Sequence, residues 1–132
     1  MDLVCLLVAG VVRATLPGPD FTLAWEHSVE KLRWEERYRV DGGELLLVEA
    51  RVQGHGAGME PPPDAVLERG AWTWRPQRRL AELNLTYSTF AGDYRLCGRE
   101  ACRDLGAMTG PLPGGTAVAV RPCAPPAAAP GR

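Results

Sequence analysis

Between residues 21 and 52, large side chains, mostly apolar, recur at every second position in runs that Pro17-Gly18-Pro19 precedes and glycine at 42–43 and 54 punctuates. In the first run Phe21, Leu23, Trp25, His27 and Val29 share one face, and Thr22, Ala24, Glu26, Ser28 and Glu30 share the other. A period of two is the signature of a half-buried strand, because successive side chains of extended backbone point to opposite sides. Arg33 to Val40 repeats the pattern, with Trp34, Glu36, Tyr38 and Val40 on one face. Asp41-Gly42-Gly43 supplies the positive φ angles of a tight hairpin, and Glu44 to Val52 returns as a Leu/Val-rich strand. Residues 21–52 therefore read as a three-stranded antiparallel meander.

The flanks extend the theme. Leu3 to Val12 is a ten-residue apolar run, short of the roughly 20 residues that cross a bilayer. It reads as strand Leu3–Ala9, a turn at Gly10 and strand Val11–Leu16. As an export signal it is poor, since Asp2 stands where a basic segment belongs. Pro17-Gly18-Pro19-Asp20 is a turn signal. The Gly54–Gly58 and Pro61–Pro63 punctuation predicts a long loop over 54–70. Further strands are expected at Ala71–Trp74, Leu80–Ser88, Asp93–Cys97, Ala101–Leu105 and Thr116–Arg121, with one helical turn at Leu105–Met108. The high content of glycine (15) and proline (12) favours such short, punctuated strands over long helices. The expected fold is all-β: a small antiparallel β-sandwich or partly open barrel with at most one short helix. The organisation read from this is one β domain over 1–123 and a disordered Pro/Ala-rich tail over 124–132.

A net charge of −1 gives no electrostatic case for nucleic acid. Four cysteines form an even set. Cys97 and Cys102 frame C-G-R-E-A-C, a spacing that suits a bridge across a hairpin, and Cys5 and Cys123 can pair if the first and last strands are neighbours. The second bridge would close nearly the whole chain, worth on the order of 4 kcal/mol by loop entropy. Such bridges fit an oxidising compartment. Free buried thiols in a cytosolic protein are the second reading. A zinc site is the third and weakest, because C-x4-C without a supporting histidine is poor zinc spacing. No metal and no cofactor is expected.

Residues that could carry chemistry are few. His27 and Glu36 lie on the aromatic faces of neighbouring strands, where a His–carboxylate pair could do acid–base work or simply satisfy itself. Ser28 is adjacent to His27, so the two point to opposite faces and make no nucleophile–base pair. No nucleophile elbow, zinc-protease or phosphate-loop motif is present. Gly56 and Gly58 flank Ala57 in a loop suited to close approach of a ligand or backbone. Trp25, Trp34, Trp72, Trp74 and Tyr38 are many large aromatics for this size, and Trp72 and Trp74 share a face, which allows a groove as well as core packing. The candidate polar cluster is thus His27, Ser28, Glu36, Gly56 and Gly58.

Three ordered motifs, His27-Ser28-Val29, Glu35-Glu36-Arg37-Tyr38-Arg39-Val40 and Gly56-Ala57-Gly58, resemble the bacterial domain-of-unknown-function family 1850, most closely over about residues 20–60. The resemblance implies a companion of TRAP transporters of the TAXI class, with the permease, its solute receptor or a small organic acid as partner. It carries over no catalytic residue. Many members of that family begin with a membrane-spanning segment, whereas this chain starts in the expected hairpin. The resemblance and the cysteines together favour a periplasmic or extracytoplasmic location, and the poor export signal leaves the cytoplasm open. The functional expectation is a non-enzymatic accessory protein. The alternatives are an independent carboxylate-binding domain and a hydrolase-like enzyme using His27 and Glu36.

Overall fold

The computed structural model describes residues 2–26, 32–53, 62–88 and 93–123. They form two antiparallel sheets and one short helix. The smaller sheet has the order β2-β1-β12-β9, built from β1 (Leu3–Val8), β2 (Val11–Pro17), β9 (Leu83–Thr86) and β12 (Ala117–Cys123). The larger contains β3 (Asp20–Glu26), β4 (Arg33–Asp41), β5 (Glu44–Gln53), β6 (Val66–Glu68), β7 (Ala71–Trp74), β10 (Arg95–Cys97) and β11 (Cys102–Asp104), in the order β11-β10-β3-β4-β5-β7-β6. A short strand β8 (Arg78–Leu80) also pairs with β5. The helix, α1, is Leu105–Thr109.

The meander expected over 21–52 is β3, β4 and β5, paired antiparallel in that order. The N-terminal hairpin turns at Ala9-Gly10, both with positive φ (51° and 79°). Gly42-Gly43 turns the β4–β5 hairpin in the same way (63° and 82°), the conformation that glycine reaches without steric cost.

The larger sheet presents Phe21, Leu23, Tyr38, Leu45, Leu47 and Leu96 to one core, and the smaller presents Val4, Leu6, Leu16, Leu85, Val118 and Val120. Leu105 and Met108 of α1 join them. Two sheets burying facing sides between them is the sandwich solution to covering apolar faces. No barrel closes among the described strands. A bulge sets the facing of β5. Arg37 pairs with Glu49 but Tyr38 with Leu47, so Val48 is the extra residue. One extra residue shifts the side-chain alternation by one. Leu45 and Leu47 before it, and Ala50 and Val52 after it, are all buried as a result.

Both cysteine pairs are disulfides. Cys97 and Cys102 are direct cross-strand partners in β10 and β11. Cys5 and Cys123 join β1 to β12, with Cα atoms 5.8 Å apart. No cysteine is free.

Two expectations are corrected. Residues 66–68, expected within the long loop, form β6, which pairs with β7 across Arg69-Gly70. Arg69 and Gly70 both take positive φ there (53° and 78°), an Arg-Gly turn that the surrounding prolines obscure in the sequence. The strand expected over Leu80–Ser88 is shorter, β9 on β12, and Leu80 ends a separate strand in the other sheet, β8 on β5. The chain crosses between layers at residues 81–82, and no glycine or proline marks that crossing. The tail at 124–132 lies outside the described residues. Among the described residues no helix is long and apolar enough to cross a membrane.

Candidate functional site

Directly opposed residues of paired strands share a face, so the register maps the inner surface of the larger sheet rung by rung. One rung runs Trp25, Trp34, Val52, Trp72, Leu67. The next runs Leu96, Leu23, Glu36, Ala50, Trp74. A third holds Phe21, Tyr38, Leu47 and Arg78. The core takes in the third rung as far as Leu47, but Trp34, Val52, Trp72 and Trp74 lie outside its main cluster. The four tryptophans are each half-buried, while Leu67 at the edge is 53% exposed. The result is an aromatic face that continues past the part of the sheet covered by its partner layer.

Glu36 sits in that face, half-buried, with Trp34 and Tyr38 as its same-side neighbours along β4. The Tyr38 hydroxyl donates to Glu36 Oε1 at 2.6 Å. Tyr38 stacks on Phe21, centroids 5.4 Å apart, and Trp25 stacks on Trp34 at 6.0 Å with the rings 6° from parallel. Tyr94 leans on Trp25 at 5.9 Å. Burial pushes the Tyr38 phenol far above its ordinary range, and the bond to Glu36 adds to this. Burial likewise raises Tyr94, with the Glu36 charge contributing. Tyr38 is therefore a fixed donor, and it occupies one carboxylate oxygen. Among the described residues no cation lies within ion-pair distance of Glu36. The second oxygen suits a hydrogen-bond donor or a cation. A ligand carboxylate brought against it would meet like charge.

Of the sequence-derived cluster, Glu36 alone is placed. His27, Ser28, Gly56 and Gly58 lie outside the described residues. β3 and β4 do pair, with Glu26 opposite Arg33 as the last described rung, but Glu36 is opposite Leu23, four residues before His27 in the sequence. Alternation along β4 was enough to put Glu36, Trp34 and Tyr38 on one side. Tyr94 joins them from a segment nearly sixty residues away in the chain, and no local signal could have placed it there.

On the outer face of the same sheet a cavity of about 230 Å³ opens between β3, β4 and the end of β10. Gly18, Asp20, Phe21, Thr22, Arg37, Cys97, Gly98 and Arg99 line it. The sequence reading singled out none of these for binding. Arg37 and Thr22 become neighbours through the β3–β4 register, and Arg99 arrives through the loop that the Cys97–Cys102 bridge closes.

No curated protein and no solved structure matches the chain. A family model does match, over residues 21–105, from the start of the meander to the first residue of α1. It covers both stacked aromatic pairs, Glu36 and most of the outer cavity. The chain belongs to the family described as domain of unknown function (DUF1850).

Proposed function

We propose that this protein is a non-enzymatic accessory module of a TRAP-TAXI organic-acid transporter, working by contact with the permease or its solute receptor. Family membership over residues 21–105 carries the reading, because proteins that this chain resembles accompany such transporters. The half-buried tryptophan face is chemistry that suits the role. Aromatic residues are enriched at the centres of protein interfaces, where they bury large area at low entropic cost. Trp34, Trp72 and Trp74 present such area beside a single carboxylate, Glu36, able to orient a partner's donor.

The test is affinity purification of the tagged protein from its native host after gentle membrane solubilisation, followed by mass spectrometry. Recovery of a TRAP permease subunit or solute receptor is the expected result. The Trp72→Ala/Trp74→Ala variant should lose it while keeping a cooperative melt. A protein that repeatedly comes out alone, under conditions that hold other membrane complexes together, overturns the proposal.

A further inference from the structure

We infer that the outer-face cavity beside the Cys97–Cys102 bridge is a binding site for a small organic carboxylate. Its volume, about 230 Å³, equals that of roughly seven or eight waters at their liquid volume. That suits an acid of a few carbons.

The charges in it are unequal. Arg37 and Arg99 line it as cations and Asp20 as the one carboxylate. Asp20 is already engaged, since Arg39 grips it through Nε at 2.9 Å and through its terminal nitrogen at 3.4 Å. Arg37 is held loosely. Its one ion-pair partner among the described residues is Glu49, at 4.0 Å, and Glu49 also faces Arg75 at 3.8 Å. Arg99 has no ion-pair partner among the described residues. Two guanidinium groups with unused donors therefore face one small cavity on a chain whose net charge is −1. Guanidinium matches a carboxylate through two parallel N–H···O bonds. The Thr22 hydroxyl supplies a further donor.

The rest of the lining argues for an organic anion over an inorganic one. Cys97, in its bridge to Cys102, and Gly98 give the cavity an apolar wall, and Phe21 adds only backbone because its side chain is in the core; such a wall favours a ligand with a carbon skeleton. The site is also held in shape. The bridge closes the short loop carrying Gly98 and Arg99, and the Gly98 N–H donates to the Ala101 carbonyl at 2.9 Å. A Cβ at Gly98 would lie 3.0 Å from Leu16 Cδ1, so the loop rests against the core through a residue without a side chain. This inference stands on the cavity alone and needs no transporter.

Succinate is the probe. It is titrated into the full-length, disulfide-intact protein at low ionic strength and followed by calorimetry and by amide NMR shifts. Saturable binding is expected, with shifts at Thr22, Arg37 and Gly98–Arg99, and weakening as salt is added. Arg37→Gln and Arg99→Gln should each raise Kd about tenfold or more, as loss of a charge-assisted fork does. Arg75→Gln, on the same face but outside the cavity, should leave Kd unchanged. All three side chains are largely exposed, so their melting temperatures serve as folding controls. An Arg37→Gln/Arg99→Gln double variant that binds succinate like the parent overturns the site, as does the absence of saturable binding. Sulfate that binds as tightly as succinate overturns the assignment to an organic acid. Co-purification without a transporter leaves this site standing, and loss of succinate binding leaves the accessory role standing.

Discussion

The two disulfides should contribute very unequally to stability, and the difference follows from where they sit along the chain. Cys5–Cys123 spans a sequence separation of 118 residues and Cys97–Cys102 a separation of 5. A cross-link removes unfolded-state entropy that grows with the logarithm of the loop it closes. That gives about 5 kcal/mol at 298 K for the long bridge and about 2 kcal/mol for the short one. Both figures are upper estimates if the reduced chain keeps residual structure. Domains of this size are stable by only about 5–15 kcal/mol, so removing the long bridge should remove a large part of the total. The experiment compares urea unfolding of Cys5→Ala/Cys123→Ala with Cys97→Ala/Cys102→Ala, each against the parent. The first variant should show much the larger fall in midpoint. It should also show an increased m value, because the uncrosslinked chain exposes more surface when unfolded. Since Cys5 is only 5% exposed, the alanine there adds a modest packing loss to the measured fall, on top of the loop-entropy figure. Equal losses, or a larger loss from the short bridge, would refute the chain-entropy reasoning and point to native-state packing around the cysteines.

Tyr38 has a folded-state pKa raised above the ordinary 10.0 by burial first and by the Glu36 bond second. Its contribution to stability is therefore complete below pH 10 and is lost as pH rises from there toward the folded value. Alkaline unfolding should be less steep in Tyr38→Phe, and phenolate absorbance from Tyr38 should appear only with unfolding; early ionisation in the folded protein would contradict this. At neutral pH the same variant should cost about 1–2 kcal/mol, because Glu36 loses its donor while remaining partly hydrated. Gly98→Ala should lower stability by about 1–3 kcal/mol, since its new methyl would press on Leu16, itself 7% exposed and fixed in the core; an unchanged melting temperature would show that the loop yields freely. A double-mutant cycle on Trp25→Leu and Trp34→Leu should give a coupling of about 0.5–1.5 kcal/mol for the stacked pair, and a coupling near zero would mean that the rings do not stack in solution.

Local pattern determined a good deal of this protein. Alternation at residues 21–52 needs only the geometry of extended backbone, so it identified β3, β4 and β5 and the common side of Trp34, Glu36 and Tyr38. Ala9-Gly10 and Gly42-Gly43 sit where tight hairpins require positive φ, and those turns were legible for the same reason. The even cysteine set stated which bridges were possible, while the neighbouring positions of β1 and β12 decided that Cys5 meets Cys123. Tertiary structure alone supplied the rest. The Val48 bulge reverses facing within a segment that reads as one unbroken Leu/Val-rich strand. The crossing near residues 81–82 puts Leu80 in one sheet and Leu83–Thr86 in the other. Arg37, Thr22 and Arg99 look like separate surface residues until the β10-β3-β4 order gathers them around one cavity. Periodicity reports which side of its own element a residue occupies; which elements then lie beside one another is set by burying the two sheet faces together, a constraint spread over the whole chain and visible in no short segment.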